Sequence, residues 1–208
     1  MTELEIKILL TKHIVNSLHN FTIGAEVPFQ FGERRADLVL LNSGFLSAFE
    51  IKGARDRLSR LEYQVESYKK FFDYCYIVCE PSNLSEVRKN IPKDFGIFIA
   101  ETTGVKKIRK SKQFKKQDKL MLSSILSVEK LKKITKKREL RSKHELCAQL
   151  AKEKKLNEIR HISRKDFEER YSVASRLMRQ ETTNTINADD IYTITKTPPS
   201  PLTRKVIS

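Results

Sequence analysis

The sequence predicts an α/β protein followed by a basic α-helical region, on three observations. Two short apolar runs, 36–42 and 46–53, flank Ser43 and Gly44, a pattern typical of two antiparallel strands joined by a tight turn. Helical and strand patterns alternate along residues 1–104 in the order α-β-β-β-α-β-α-β, which is typical of α/β folds. The charge then changes: residues 1–104 carry 13 Lys/Arg against 14 Asp/Glu, whereas residues 105–180 carry 25 against 9.

The first element is a helix over Thr2–Leu18, because apolar residues recur there at helical spacing. Thr2 is placed to cap it, and Glu5 to complete a capping box. The other elements up to Gly104 are predicted in the same way: strands at Phe21–Val27, Ala36–Asn42, Leu46–Gly53, Tyr74–Cys79 and Gly96–Ala100, a helix from Ser59 to about Phe72, and a helix over Ser82–Asn90 capped by Ser82.

From Val105 to about Met178 the pattern predicts basic amphipathic helices. The Thr-, Asn-, Pro- and Ser-rich residues 181–208 predict a tail that is disordered or folds only on a partner. We therefore expect three segments: a core at 1–104, a basic helical region at 105–180 and the tail. An excess of positive charge confined to one segment is expected to bind nucleic-acid phosphates. The alternative is a set of helices that pack on the core and keep solvated lysine faces.

Three ionisable residues on the predicted hairpin indicate a candidate catalytic site. Side chains alternate along a strand, so Ala48, Glu50 and Lys52 share one face, with Glu50 and Lys52 roughly 7 Å apart. Pairing about the turn brings Asp37 close to both. Two carboxylates can bind Mg²⁺, and the lysine ammonium can orient a water that attacks a phosphate ester and offset the negative charge that develops. The alternative is a charged cluster on an exposed sheet face, but the apolar residues around these positions predict a covered sheet, where unpaired charge is costly.

This arrangement, D-(x)12-E-I-K, resembles the active-site signature of the PD-(D/E)XK nuclease superfamily. Within it, the likeness is to small uncharacterised bacterial and phage proteins whose EIK is followed by a helix of the form R-L-x-x-Q-V-x-x-Y. Arg60, Leu61, Gln64, Val65 and Tyr68 match that form. Ala36 departs from the pattern, since the superfamily's name has proline there. The likeness covers about residues 1–104 well and the basic region loosely.

The resemblance implies a restriction-endonuclease-like core, a mixed sheet flanked by helices, and a Mg²⁺- or Mn²⁺-dependent phosphodiesterase, specifically a DNA endonuclease. Asp37, Glu50 and the backbone carbonyl of Ile51 would hold the metal, and Lys52 would serve the attacking water. Gln64 would contact metal-bound water, Lys52 or phosphate; the alternative is a glutamine at the boundary of the apolar stripe.

The same resemblance implies a further metal ligand from the first helix. Glu3 fits that role, and Glu5 competes with it. The alternative for Glu3 is an ordinary acid at a helix N-terminus. Arg34 and Arg35 could bind substrate phosphates, and a solvated charge pair is the alternative.

Other classes of function lack support in the sequence. There is no P-loop, G-x-G-x-x-G or G-x-S-x-G motif, and Cys75, Cys79 and Cys147 have no zinc-site spacing with the histidines. No apolar run is long enough to span a bilayer, and Met1–Lys12 does not resemble a secretory signal, so we expect a cytoplasmic protein with no membrane partner. The rival interpretation is an inactive nucleic-acid-binding or regulatory protein that retains the nuclease fold. A homodimer or a subunit of a larger assembly is compatible with either.

Overall fold

The computed structural model describes residues 1–54, 56, 58, 61–137, 139–181 and 185–196. These residues form one six-stranded sheet and eight α-helices. In chain order the elements are α1 (Glu3–Ser17), β1 (Thr22–Phe29), β2 (Arg34–Asn42), β3 (Phe45–Lys52), α2 (Leu61–Tyr68), β4 (Tyr74–Cys79), α3 (Leu84–Asn90), β5 (Gly96–Glu101), β6 (Gly104–Arg109), α4 (Lys119–Ser123), α5 (Val128–Thr135), α6 (Lys143–Glu153), α7 (Leu156–Glu181) and α8 (Ala188–Thr195).

The sheet is mixed, and its strands lie side by side in chain order from β1 to β6. β1, β2 and β3 are antiparallel, β3, β4 and β5 are parallel, and β6 returns antiparallel to β5. The β2–β3 turn places Ser43 and Gly44 at φ values of 49° and 79°, the left-handed conformation of a two-residue hairpin. α2 and α3 make the crossovers that parallel neighbours require. The predicted mixed sheet flanked by helices is confirmed.

Each face of the sheet is covered by its own hydrophobic core. One core joins α1 and α8 to the sheet through residues such as Leu10 and Ile194. The other joins α2 and the helices of residues 105–180 to the opposite face through residues such as Val65, Leu146 and Phe167. The glutamate and lysine of the hairpin therefore lie in a sheet that is covered on both sides.

Several predicted boundaries differ from the structure. Residues 104–109 form the strand β6 where a basic helix was expected, because Val105 and Ile108 pack against the two cores. α8 lies inside the segment expected to be disordered, since Asn187 caps it and Ile191 and Ile194 are buried. Residues 197–208 of that segment lie outside the described residues.

The helix starts agree with the predictions only in part. The capping box of Thr2 and Glu5 is confirmed. α3 begins at Leu84 after a 3₁₀ turn at Pro81–Asn83, so Asn83 and not Ser82 occupies its N-cap. Ser59, the expected start of the next helix, lies outside the described residues.

α7 runs across the outer edge of the sheet at β1. The Ser175 hydroxyl accepts a hydrogen bond from the Ile23 N–H at 2.9 Å and donates one to the Ile23 carbonyl at 2.8 Å. A Cβ on Gly24 would lie 2.8 Å from Cδ1 of Tyr171, so this close approach requires glycine. No helix in the described part of the chain is both long and apolar enough to cross a membrane.

Candidate active site

The hairpin brings the two predicted acidic residues together at the end of the sheet away from the β2–β3 turn. Leu38 pairs with Phe49, so Asp37, one residue before Leu38, stands opposite Glu50, one residue after Phe49. Asp37 is fixed by the neighbouring strand, because its Oδ2 accepts a hydrogen bond from the Ile51 N–H at 2.6 Å. The turn and the strand register thus place residues 13 positions apart in one site.

Glu50 and Lys52 form an ion pair inside the protein. The Lys52 Nζ lies 2.8 Å from Oε1 of Glu50, and the two residues are only 9% and 4% exposed. The other carboxylate oxygen, Oε2, accepts a hydrogen bond from the Tyr68 hydroxyl at 2.5 Å. Both oxygens of Glu50 are therefore satisfied within the protein, one by a cation and one by a neutral donor.

The pKa values of these groups follow from burial and from neighbouring charge. Burial raises the pKa of Asp37 well above its ordinary value, and the negative charge of Glu50 raises it further. Burial alone would lower the pKa of Lys52, but the adjacent Glu50 carboxylate outweighs it and keeps that pKa above its usual range. Burial and the same carboxylate hold the pKa of Tyr68 well above normal. At neutral pH Lys52 is charged and Tyr68 keeps its proton.

A second set of charges, from α1 and β1, borders Asp37. Carboxylate oxygens of Glu3, Glu26 and Asp37 all lie within 4.8 Å of one another. The buried Lys7 joins two of them, with its Nζ 2.6 Å from Oε1 of Glu26 and 3.0 Å from Oε1 of Glu3. We call Glu3, Glu26 and Asp37 the acidic cluster. It holds one of the two hairpin acids, and a lysine ammonium is its close cationic partner.

Glu26 has an unusual backbone for a strand residue, with φ at 51° in the left-handed region. The left-handed residue reverses the side to which the strand's side chains point. Ala25 packs in the core on the α1 side, whereas Val27 packs in the core on the α2 side. Strict alternation would have placed both on one face. By strand register Glu26 stands opposite Asp37, between the pairs Ala25–Leu38 and Val27–Ala36.

Glu26 and Lys7 were not predicted as site residues from the sequence. Lys7 carried a signal, since Leu10 and Ile14 lie three and seven residues after it and place it on the buried stripe of α1. Glu26 carried none, because its role depends on a local reversal of the strand that residue type does not indicate. Contact between α1 and β1 is likewise a tertiary property.

Of the remaining predicted site residues, Glu3 lies near Asp37, whereas the roles of Gln64 and the Ile51 carbonyl are not tested by the structure. Glu3 joins the acidic cluster, although its side chain is 48% exposed, while Glu5 is engaged in the capping box. Gln64 is half-buried, and its amide makes no hydrogen bond within the described residues, so its contact with the site stays a prediction. Ile51 contributes its N–H to Asp37, and its carbonyl as a metal ligand also stays a prediction. Arg34 lies over the Tyr63 ring at 4.2 Å.

The chain matches a known protein family along most of its length. The family model described as bacteriophage P4 protein cII matches residues 1–195. Protein cII of Enterobacteria phage P4 is 31% identical over 208 residues, an alignment that covers 94% of this chain and 78% of the phage protein. Among solved structures, a protein of unknown function from Silicibacter pomeroyi aligns with a TM-score of 0.43 and 17% identity, over 57% of this chain and 77% of that one. The match along nearly the whole chain shows that this protein belongs to the family of bacteriophage P4 protein cII.

Proposed function

We propose that the chain is a Mg²⁺- or Mn²⁺-dependent phosphodiesterase of the PD-(D/E)XK type, with a restriction-endonuclease-like core, that cleaves nucleic acid as a DNA endonuclease. The observation that supports this is the meeting of Asp37, Glu50 and Lys52 at one end of a sheet covered on both faces. Glu50 and Lys52 are buried and Asp37 is half-buried beside them, and charges placed this way are costly to maintain without a function.

The donor set at this site suits a hard divalent cation. Three carboxylates lie within 4.8 Å of one another, and oxygen ligands are those that Mg²⁺ and Mn²⁺ prefer. Asp37 supports the fit, because its raised pKa reflects burial beside another acid, a condition that added positive charge relieves. Asp37, Glu50, Glu3 and the Ile51 carbonyl are the proposed ligands, and Glu26 is an additional candidate. Such a cation, when bound, supplies positive charge that stabilises a phosphoryl group under attack.

The protein's own groups have distinct tasks in this proposal. Lys52 stays protonated at neutral pH, so it orients the attacking water and neutralises developing negative charge on phosphate; it does not act as a base. Tyr68 donates to Glu50 and fixes the direction of that carboxylate. Residues 105–180 hold the nucleic-acid backbone electrostatically.

The test is cleavage of labelled linear, branched and single-stranded DNA, and of RNA, with Mg²⁺, Mn²⁺ or EDTA. Lys52→Ala should reduce the cleavage rate by at least about 100-fold, the usual range for loss of a charge-stabilising group. Lys89→Ala removes an exposed lysine of α3 and serves as the control. Equal rates for wild type and Lys52→Ala would contradict the proposed chemistry.

One observation favours the second candidate, a nucleic-acid-binding or regulatory protein without turnover. Both oxygens of Glu50 already have partners, and Lys7 already occupies the space between Glu3 and Glu26. A site satisfied by its own side chains is stable without a metal. Tight binding with no cleavage under any metal condition, and no effect of Mn²⁺ on thermal stability, would support this candidate. A homodimer or a larger nucleic-acid-processing assembly is compatible with both.

A further inference from the structure

A groove lies at the opposite end of the hairpin from the candidate active site. It has a volume of about 1010 Å³ and runs between α7 and the β2–β3 turn, where Gly44 and Phe45 line it. We call it the α7 groove. Its volume is at the upper end of the range of ordinary ligand sites. From Gly44 to Lys52 the strand rises by roughly 26 Å, so the groove and the active site are separate.

The α7 groove is strongly positive. Five arginines and lysines line it against two acids: Arg160, Arg164, Lys165, Arg176 and Arg179 against Asp73 and Glu168. Arg164 neutralises Asp73, with its Nη2 2.5 Å from Oδ2 of the aspartate. Lys165 and Arg176 are exposed and form no ion pair within the described residues. The excess of three positive charges therefore faces a space large enough for a polyanion.

Two of these cations are held in place by the fold. Arg160 donates to Oε1 of Gln117 at 2.5 Å and to Oδ1 of Asn157 at 3.0 Å. Arg179 donates to the His19 carbonyl at 2.8 Å, and its guanidinium lies 5.0 Å from the centroid of the Phe21 ring. Cations already ordered by neutral acceptors lose little freedom when an anion binds.

The groove also presents an aromatic side chain beside these charges. Phe45 directly follows the turn and is 40% exposed, and its ring meets Tyr74 in an edge contact with the centroids 5.8 Å apart. Exposed aromatic rings among phosphate-binding cations are typical of proteins that bind single-stranded nucleic acid, because unpaired bases stack on them. A free inorganic anion has no base to stack on the ring, so Phe45 would not contribute to its binding.

We propose that the α7 groove binds single-stranded nucleic acid, with backbone phosphates on Lys165 and Arg176 and an unpaired base against Phe45. The inference rests on the proposed function for the choice of nucleic acid as the ligand, but it does not require cleavage. A strand stacked at 3.4 Å per nucleotide needs about eight nucleotides to extend from the groove to Lys52.

The test measures the binding of a fluorescein-labelled 15-nucleotide oligothymidylate by anisotropy, in EDTA so that no cleavage occurs, across a series of salt concentrations. Lys165→Ala/Arg176→Ala should reduce the slope of log K against log salt by about 1.4, which corresponds to about 25-fold weaker binding at 0.1 M salt. Lys12→Ala/Lys89→Ala removes the same charge from exposed residues outside both the groove and residues 105–180, and should leave the slope nearly unchanged.

The aromatic contact is tested separately. Phe45→Leu should weaken binding by about 5- to 150-fold, the range for the loss of one stacked base, while Tyr192→Leu, which changes a 63% exposed aromatic on α8, should not. Equal effects of the two charge pairs, no effect of Phe45→Leu, or tighter binding of a duplex of the same length would overturn the proposal. Because the binding assay contains no metal, its outcomes do not depend on cleavage. A wild-type protein that binds the oligonucleotide through the groove but cleaves no substrate would refute the nuclease proposal alone, whereas cleavage without groove binding would refute the groove proposal alone.

Discussion

Replacement of Lys7 by methionine tests whether the acidic cluster is a cation site. Lys7 is 5% exposed, and its ammonium is bonded to Glu3 and Glu26. Breaking a fully buried ion pair by removing one partner costs about 3–5 kcal/mol. Here the two carboxylate side chains are 48% and 32% exposed and can regain water, so we expect about 2 kcal/mol. For a chain of this size that lowers Tm by about 4–8 °C in EDTA.

Divalent cations should reverse this loss. Without the ammonium, Mn²⁺ no longer competes with a bound cation, so it should raise the Tm of Lys7→Met by more than it raises that of wild type. Differential scanning fluorimetry with a Mn²⁺ titration measures both effects. Lys12→Met, an exposed lysine on the same helix, is the control and should change stability by less than about 0.5 kcal/mol. If Mn²⁺ stabilises Lys7→Met no more than wild type, the cluster is a structural ion-pair network and the metal assignment is wrong.

Three further predictions concern the site and the sheet. Tyr68→Phe leaves Oε2 of the buried Glu50 without its donor and should lower the free energy of unfolding by about 1–3 kcal/mol in urea titrations; an unchanged midpoint would contradict the contact. Because the pKa of Asp37 is raised in the folded protein, its contribution to stability is fully present below the ordinary pKa of 3.8 and is lost as pH rises toward the raised pKa. Asp37→Asn should therefore weaken the fall in metal-free stability with pH, and an identical pH profile would refute the assignment. Gly96→Ala would place a Cβ 2.1 Å from Cδ1 of Tyr76 and should cost at least about 3 kcal/mol or prevent folding, whereas a stable variant would show that this packing is wrong.

The local sequence was sufficient to predict the hairpin, because two short apolar runs in residues 36–53 flank Ser43 and Gly44, which are suited to a tight turn. The same local signals predicted the capping box at Thr2 and the strand Tyr74–Cys79. β6 was missed because Lys106 and Lys107 are exposed on an edge strand, where charge is common and looks like a polar helix or loop.

The candidate site was predicted in part for a related reason. Residues on one hairpin share a register that can be read from the sequence, so Asp37, Glu50 and Lys52 could be grouped. Glu26 belongs to a different strand and depends on a left-handed residue, and Lys7 reaches it from a helix. Such contacts arise from packing between elements, which single-sequence patterns do not encode.

The way α7 covers β1 has a consequence for self-association. A bare edge strand offers its N–H and C=O groups to any other extended chain, which is a route to aggregation. At Ile23 both groups already bond to Ser175, so a second molecule cannot lengthen the sheet there. At the other edge an incoming strand would meet the exposed Lys106 and Lys107 of β6. Both edges of the sheet are thereby protected from edge-to-edge association: the β1 edge by α7 and the β6 edge by the charge of its lysines.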